Sequence, residues 1–147
     1  MENNEFKGLV TKYFDFFFDL DQIKIKSFYN EFLQKGFLIT HPSGSFEFAF
    51  DKYTCAMFFW PNFDKRENAI TIENLYEFYI NKGVISDANK IKFISVNNIN
   101  KEVCLQEKSL KLLAMIELFN VNNLSWWDAA KSFSQKRQEI LFPKHSH

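Results

Sequence analysis

The stretch that decides the fold is FLITHPSGSFEFAFDKYTCAMFFW, residues 37–60. From Phe46 to Phe50, three phenylalanines alternate with a glutamate and an alanine. This period of two is typical of a strand with one buried face. The tetrapeptide HPSG at residues 41–44 is a strong turn signal, and Pro61 follows the last apolar run. We therefore predict a three-stranded meander over these residues.

Helices are predicted on both sides of the meander. Apolar residues recur at steps of three and four from Phe6 to Leu20, which is the period of a helix with one apolar face. A second helix is predicted from Asp21 to Gly36. After the meander, helices are predicted at residues 72–82, 106–119 and 125–141, and one further strand at residues 91–96.

Capping residues support the helix boundaries. Thr71 and Ser125 are placed to act as N-caps, and Gly83 follows Lys82 as a typical C′ residue. The predicted class is α+β, with two N-terminal helices, a small mainly antiparallel sheet of three to five strands, and further helices packed on one face. A chain of 147 residues fits a single compact domain spanning 1–147.

Phenylalanine is the unusual residue of this chain, with 19 copies, 14 of them in the first 63 positions. Most follow a helix or strand period and are predicted to form the core. Three do not follow such a period and lie near acidic residues. Because interface cores are enriched in aromatic residues, we predict a partner-binding surface formed by Asp15, Phe16, Phe18, Asp19, Asp21 and Phe63.

Charge and hydropathy limit the classes of partner. The chain has 18 basic and 18 acidic residues, and this balance argues against nucleic-acid binding. The longest apolar run, residues 55–60, is much shorter than the ~20 residues of a membrane span. The N-terminus is acidic, unlike a signal peptide. We expect a cytoplasmic protein with no membrane partner.

Candidate catalytic and metal-binding residues are few. His41 could act as a base if Glu47 or Asp51 oriented it, but no nucleophile is evident beside it. His145 and His147 end the chain and could hold a metal only loosely. Cys55 and Cys104 lie in apolar stretches and are expected to pack as free thiols. We therefore predict no catalytic set, no metal site and no cofactor.

Two classes of function remain. The first is a non-enzymatic protein-binding domain, for example a small bacterial immunity protein that neutralises a cognate toxin such as a nuclease. An acidic surface would complement such a basic partner. The second is an enzyme or toxin domain that acts on nucleic acid through His41 or the basic C-terminal helix. A small-molecule binder with an aromatic pocket is a further alternative.

Overall fold

The structure, a computed structural model, describes residues 3–19, 23–27, 35–50, 55–83 and 101–141. These ranges contain four α-helices and one five-stranded antiparallel sheet, which confirms the α+β class. The helices are α1 (Asn3–Phe14), α2 (Ile72–Asn81), α3 (Lys101–Ala114) and α4 (Trp127–Leu141). The strands are β1 (Ile23–Ser27), β2 (Lys35–His41), β3 (Gly44–Phe50), β4 (Cys55–Pro61) and β5 (Ile70–Thr71). Short 3-10 helices span Arg66–Asn68 and Ile116–Phe119.

The strands pair in sequence order from β1 to β5. The predicted meander is confirmed, with β1 and β5 added at its edges. Pro42 and Ser43 form the turn between β2 and β3. Gly44 then lets β3 approach β4 closely, because a Cβ there would overlap the Trp60 carbonyl oxygen and lie 2.7 Å from the Pro61 Cα.

The prediction of a second N-terminal helix is wrong. Residues 23–27 form β1, which pairs with β2, and Lys35 and Gly36 already belong to β2. The sequence of β1, IKIKS, alternates apolar and polar residues. The chain follows this period of two and not the helical spacing of the residues around it. Residues 28–34 and the strand predicted at 91–96 lie outside the described residues.

The first helix ends at Phe14, earlier than the apolar stripe predicts. The amides of Phe17 and Phe18 both donate to the Phe14 carbonyl, at 3.1 and 3.0 Å, and so close the helix with a turn. This turn directs Phe18 towards the sheet, where its ring centroid lies 5.0 Å from that of Phe46.

One face of the sheet carries the aromatic core. Phe46, Phe48 and Phe50 of β3 are buried there, and α1 packs Phe6 and Phe14 against them. The Phe6 and Phe50 rings stack with centroids 4.0 Å apart, and Phe14 meets Phe48 edge-on at 5.2 Å. Each such pair contributes about 0.5–1.5 kcal/mol beyond its buried area. Most of the phenylalanine surplus is therefore core material.

The predicted capping residues at both ends of α2 are confirmed. The Thr71 hydroxyl accepts a hydrogen bond from the Asn74 amide at 3.2 Å, and Gly83 has the positive φ of 78° expected after a helix. α3 begins at Lys101, before the start predicted at residue 106. α4 begins at Trp127, after the start predicted at residue 125. Within the described ranges, none of the helices combines the length and the apolarity needed to cross a bilayer.

The opposite face of the sheet is held by one ion pair. Glu47 of β3 is only 3% exposed, and its two carboxylate oxygens accept hydrogen bonds from Arg66 Nε and Nη2, both at 2.7 Å. A bidentate pair fixes orientation as well as position. It therefore ties residues 62–69, the β4–β5 loop, to the central strand.

Candidate functional site

Several connecting segments meet at one end of the sheet. The Phe17 ring stacks on the His41 imidazole with centroids 4.3 Å apart and lies 5.6 Å from the Phe119 ring. The Asn62 side-chain amide donates to the Pro42 carbonyl at 3.0 Å. We call this surface the turn end, defined as residues 15–19, 41–43, 62–63 and 119–128.

The turn end contains most of the predicted partner-binding residues. Phe16 is 42% exposed and Phe63 is 67% exposed, and Asp15 and Asp19 are also exposed. Phe18 is only 4% exposed, so it supports the surface from below and does not present its ring to a partner. Asp21 lies outside the described residues.

Three residues of this surface were not predicted from the sequence. Val121 is 52% exposed, Leu124 is half-buried, and the Asp128 side chain is 92% exposed. Together with Phe63 they line a recess of about 430 Å³. The only local signal is the run of asparagines in VNN, residues 121–123, which marks a turn carrying an apolar residue.

Asp64 fixes the loop that carries Phe63. Its Oδ2 accepts hydrogen bonds from Trp127 Nε1 at 2.6 Å and Lys131 Nζ at 3.0 Å. Its Oδ1 accepts from the Asn68 side chain at 2.6 Å and the Lys65 amide at 2.8 Å. Burial raises the pKa of the Asp64 carboxyl, but these hydrogen bonds outweigh burial and hold the pKa well below its usual range. Asp64 is therefore ionised at neutral pH and joins the loop to α4.

His41 is held in a turn. Its Nδ1 accepts a hydrogen bond from the Ser43 amide at 3.1 Å and lies 2.7 Å from the Ser43 hydroxyl. Burial lowers the pKa of His41, which favours the neutral imidazole that this amide requires. Ser43 is fully buried, so its hydroxyl is not accessible from the surface, whereas His41 is half-buried. Glu47 does not orient His41, because Glu47 lies on the opposite face of the sheet and binds Arg66. Asp51, the other carboxylate considered, lies outside the described residues.

The described residues give little geometric support for metal binding or for thiol chemistry. In the part of the chain that the structure describes, no three histidine, cysteine or acidic side chains lie close enough to hold a metal ion. Cys55 and Cys104 are free thiols. Burial raises the pKa of the Cys55 thiol to about 12, so it is protonated and a poor nucleophile at neutral pH. His145 and His147 lie outside the described residues.

Comparisons with protein-family models, curated proteins and solved structures give no match to this chain. Its functional assignment therefore depends on the geometry and charge of the turn end.

Proposed function

We propose that this chain is a non-enzymatic protein-binding domain and that the turn end is its binding surface. The observation that carries this proposal is an exposed phenylalanine on a fixed loop: Phe63 is 67% exposed, although the loop around it is held firmly in place. Exposed aromatic side chains are enriched where proteins bind one another, and they often dominate the affinity.

The fixed loop is the second element of the argument. Seven hydrogen bonds that involve side chains order the β4–β5 loop. Two, from Lys65 and Asn68 to Asp64, lie within it. The other five join it to the rest of the fold: two accepted by Asp64, two between Arg66 and Glu47, and one from Asn62 to Pro42. Association costs free energy when a loop at the interface has to be ordered. A loop fixed before binding avoids much of this cost. The ring at its tip is therefore presented in a form that favours tight association.

The charge of the turn end favours a basic partner. Asp15, Asp19 and Asp128 are exposed around its apolar residues. Carboxylates at the rim of an interface accelerate association with a positive surface and discriminate against a negative one. A small inhibitor of a nuclease toxin, in the manner of an immunity protein, fits this charge pattern, because a nuclease binds its own substrate through basic residues.

A second exposed apolar strip, formed by Leu110, Leu113 and Ile116, lies on and just after α3. Its side chains are aliphatic, whereas the turn end exposes the rings of Phe16 and Phe63, the type of side chain that is enriched at interfaces. For this reason we assign the binding surface to the turn end.

The proposal is tested by capture of partners from a native lysate, with proteins identified by mass spectrometry and the dissociation constant of each purified candidate measured by calorimetry. Phe63→Ser should weaken the authentic complex by about 30-fold, the effect of losing a hot spot of about 2 kcal/mol. Asp15→Asn combined with Asp19→Asn should weaken it less and reduce its salt dependence.

The matched control is Ile140→Ser, which removes an exposed apolar side chain from the far end of α4. This variant should bind like the wild type. A partner that binds wild type and Phe63→Ser equally would contradict the assignment of the turn end. If that partner is a toxin, addition of the purified chain should abolish its activity in a direct assay, and an unchanged activity would contradict the inhibitor role.

A further inference from the structure

We infer that the recess beside Phe63 receives an aromatic side chain whose neighbour in the partner is an arginine or lysine. This inference rests on the proposed function and specifies the chemistry of the partner. The recess, about 430 Å³ in volume, lies between residues 62–63 and residues 121–128. This volume falls in the range of about 300–1,000 Å³ typical of ligand sites, and it accommodates one aromatic ring with the stem of the adjoining residue.

The lining of the recess is suited to an aromatic ring. Phe63, Val121 and Leu124 provide apolar side chains, and Trp127, only 1% exposed, also borders the recess. The Trp127 ring is itself held in place, because its Nε1 donates to Asp64 at 2.6 Å. Asn62, Asn122, Ser125 and Asp128 complete the lining, so the recess is apolar on part of its surface only. That apolar part is removed from water when a ring of matching size enters.

The wall opposite Phe63 is also fixed before binding. The Asn122 amide donates to the Asn120 side chain at 3.0 Å, and the Asn123 amide donates to the Asn120 carbonyl at 2.9 Å. The Ser125 hydroxyl donates to the Asn123 side chain at 3.2 Å. Because local hydrogen bonds hold both walls, a ligand does not have to form the recess on entry.

Charge at the edge of the recess selects the neighbouring residue. Asp128 is the only charged residue among those that line it. The Lys131 ammonium lies 3.6 Å from Asp128 but closer, at 3.0 Å, to Asp64, so two carboxylates share one cation. These three side chains together carry a charge of −1, and the exposed Asp128 carboxylate at the edge of the recess attracts an arginine or lysine and repels an acidic residue.

The direct test is an NMR titration of the full-length, ¹⁵N-labelled chain with three blocked peptides: acetyl-Phe-Arg-amide, acetyl-Phe-Glu-amide and acetyl-Gly-Arg-amide. Binding of the first should shift the amide signals of Phe63, Val121 and Leu124 and the indole signal of Trp127. It should be about fivefold tighter than binding of the second, as expected for one rim ion pair of up to about 1 kcal/mol. The third peptide lacks the ring and should cause no shift at these positions.

Two variants separate the ring from the charge. Asp128→Asn should abolish the preference for arginine over glutamate while the Phe-Arg peptide still binds. Leu124→Ser should weaken both phenylalanine peptides, whereas Ile140→Ser should change neither. Equal affinity for all three peptides, or a preference that persists in Asp128→Asn, would overturn the inference.

These outcomes are distinct from failure of the proposed function. If Phe63→Ser reduces capture of the partner but no peptide shifts the recess signals, the recess assignment is overturned and the turn-end interface stands. If the Phe-Arg peptide binds as described while Phe63→Ser leaves capture unchanged, the recess assignment stands and the interface assignment is overturned.

Discussion

Replacement of Asp64 by asparagine is the most informative perturbation of this structure. The substitution keeps the size of the side chain but removes its charge and replaces one acceptor oxygen with an NH₂ group. Trp127 and Lys131 both donate to Oδ2, so an NH₂ group at that position leaves the buried indole and the ammonium facing another donor. An NH₂ group in place of Oδ1 does the same to the Lys65 amide and the Asn68 side chain, and either orientation removes the charge that attracts Lys131. A hydrogen bond to a charged group is worth about 1.5–3 kcal/mol, and a buried unpaired donor costs about 1–3 kcal/mol. We expect Asp64→Asn to lower the free energy of unfolding by about 3 kcal/mol.

The measurement is urea unfolding at neutral pH followed by tryptophan fluorescence, because the Trp127 indole is a direct partner of Asp64. For a chain of this size, a loss of about 3 kcal/mol also corresponds to a fall of about 6–12 °C in Tm. Since the folded-state pKa of Asp64 is depressed, its contribution is present above the unfolded pKa of about 3.9. The difference between wild type and variant should therefore shrink as the pH falls below that value.

The matched control is Glu67→Gln, which removes an exposed carboxylate from the same loop. It should change the free energy of unfolding by less than about 0.5 kcal/mol. A loss below about 1 kcal/mol for Asp64→Asn at neutral pH would refute the reasoning, and so would a loss that is the same at acidic pH.

Two further predictions concern glycine and histidine. Gly44→Ala should destabilise the fold by about 3 kcal/mol because its Cβ would overlap the backbone of β4. Gly8→Ala, in a helix with open space around it, should stabilise the fold by up to about 1 kcal/mol. Urea unfolding checks both substitutions, and similar effects at the two sites would contradict the packing argument. Burial lowers the pKa of His41 in the folded state below its usual 6.5. The contribution of the neutral His41 side chain to stability should therefore be present above pH 6.5 and be lost as the pH falls through the folded-state pKa. Urea unfolding at about pH 7.5 and about pH 5 should therefore show a weaker pH dependence in His41→Asn than in wild type, and equal dependence in both would show that His41 is not the cause.

Much of the fold follows from local patterns in the sequence. Alternating phenylalanines predict β3, and Thr71 predicts the start of α2, because each depends on a few adjacent residues. The sequence does not predict β1, because phenylalanines with helical spacing, Phe28 and Phe32, follow it directly. The short strand itself, IKIKS, carries a weaker signal than the long stripe around it.

The site was only partly predictable. Phe16 and Phe63 lie off any helix or strand period, and this marks them as surface residues. Burial of Phe18 depends on a turn stabilised by two bonds to the Phe14 carbonyl, which no local periodicity encodes. The recess joins Phe63 to Asp128, which lies far along the chain, so only the packing of α4 against the β4–β5 loop brings it into existence.

The order of the strands also bears on how the chain folds. Each strand from β1 to β5 pairs with the strand next to it in sequence, so among the described residues no strand pairing depends on a distant segment. Closing a short connection loses less chain entropy than closing a long one, and sheets built from neighbouring strands fold faster than those with distant pairings. The strands can thus pair before α4 packs against the β4–β5 loop and completes the turn end.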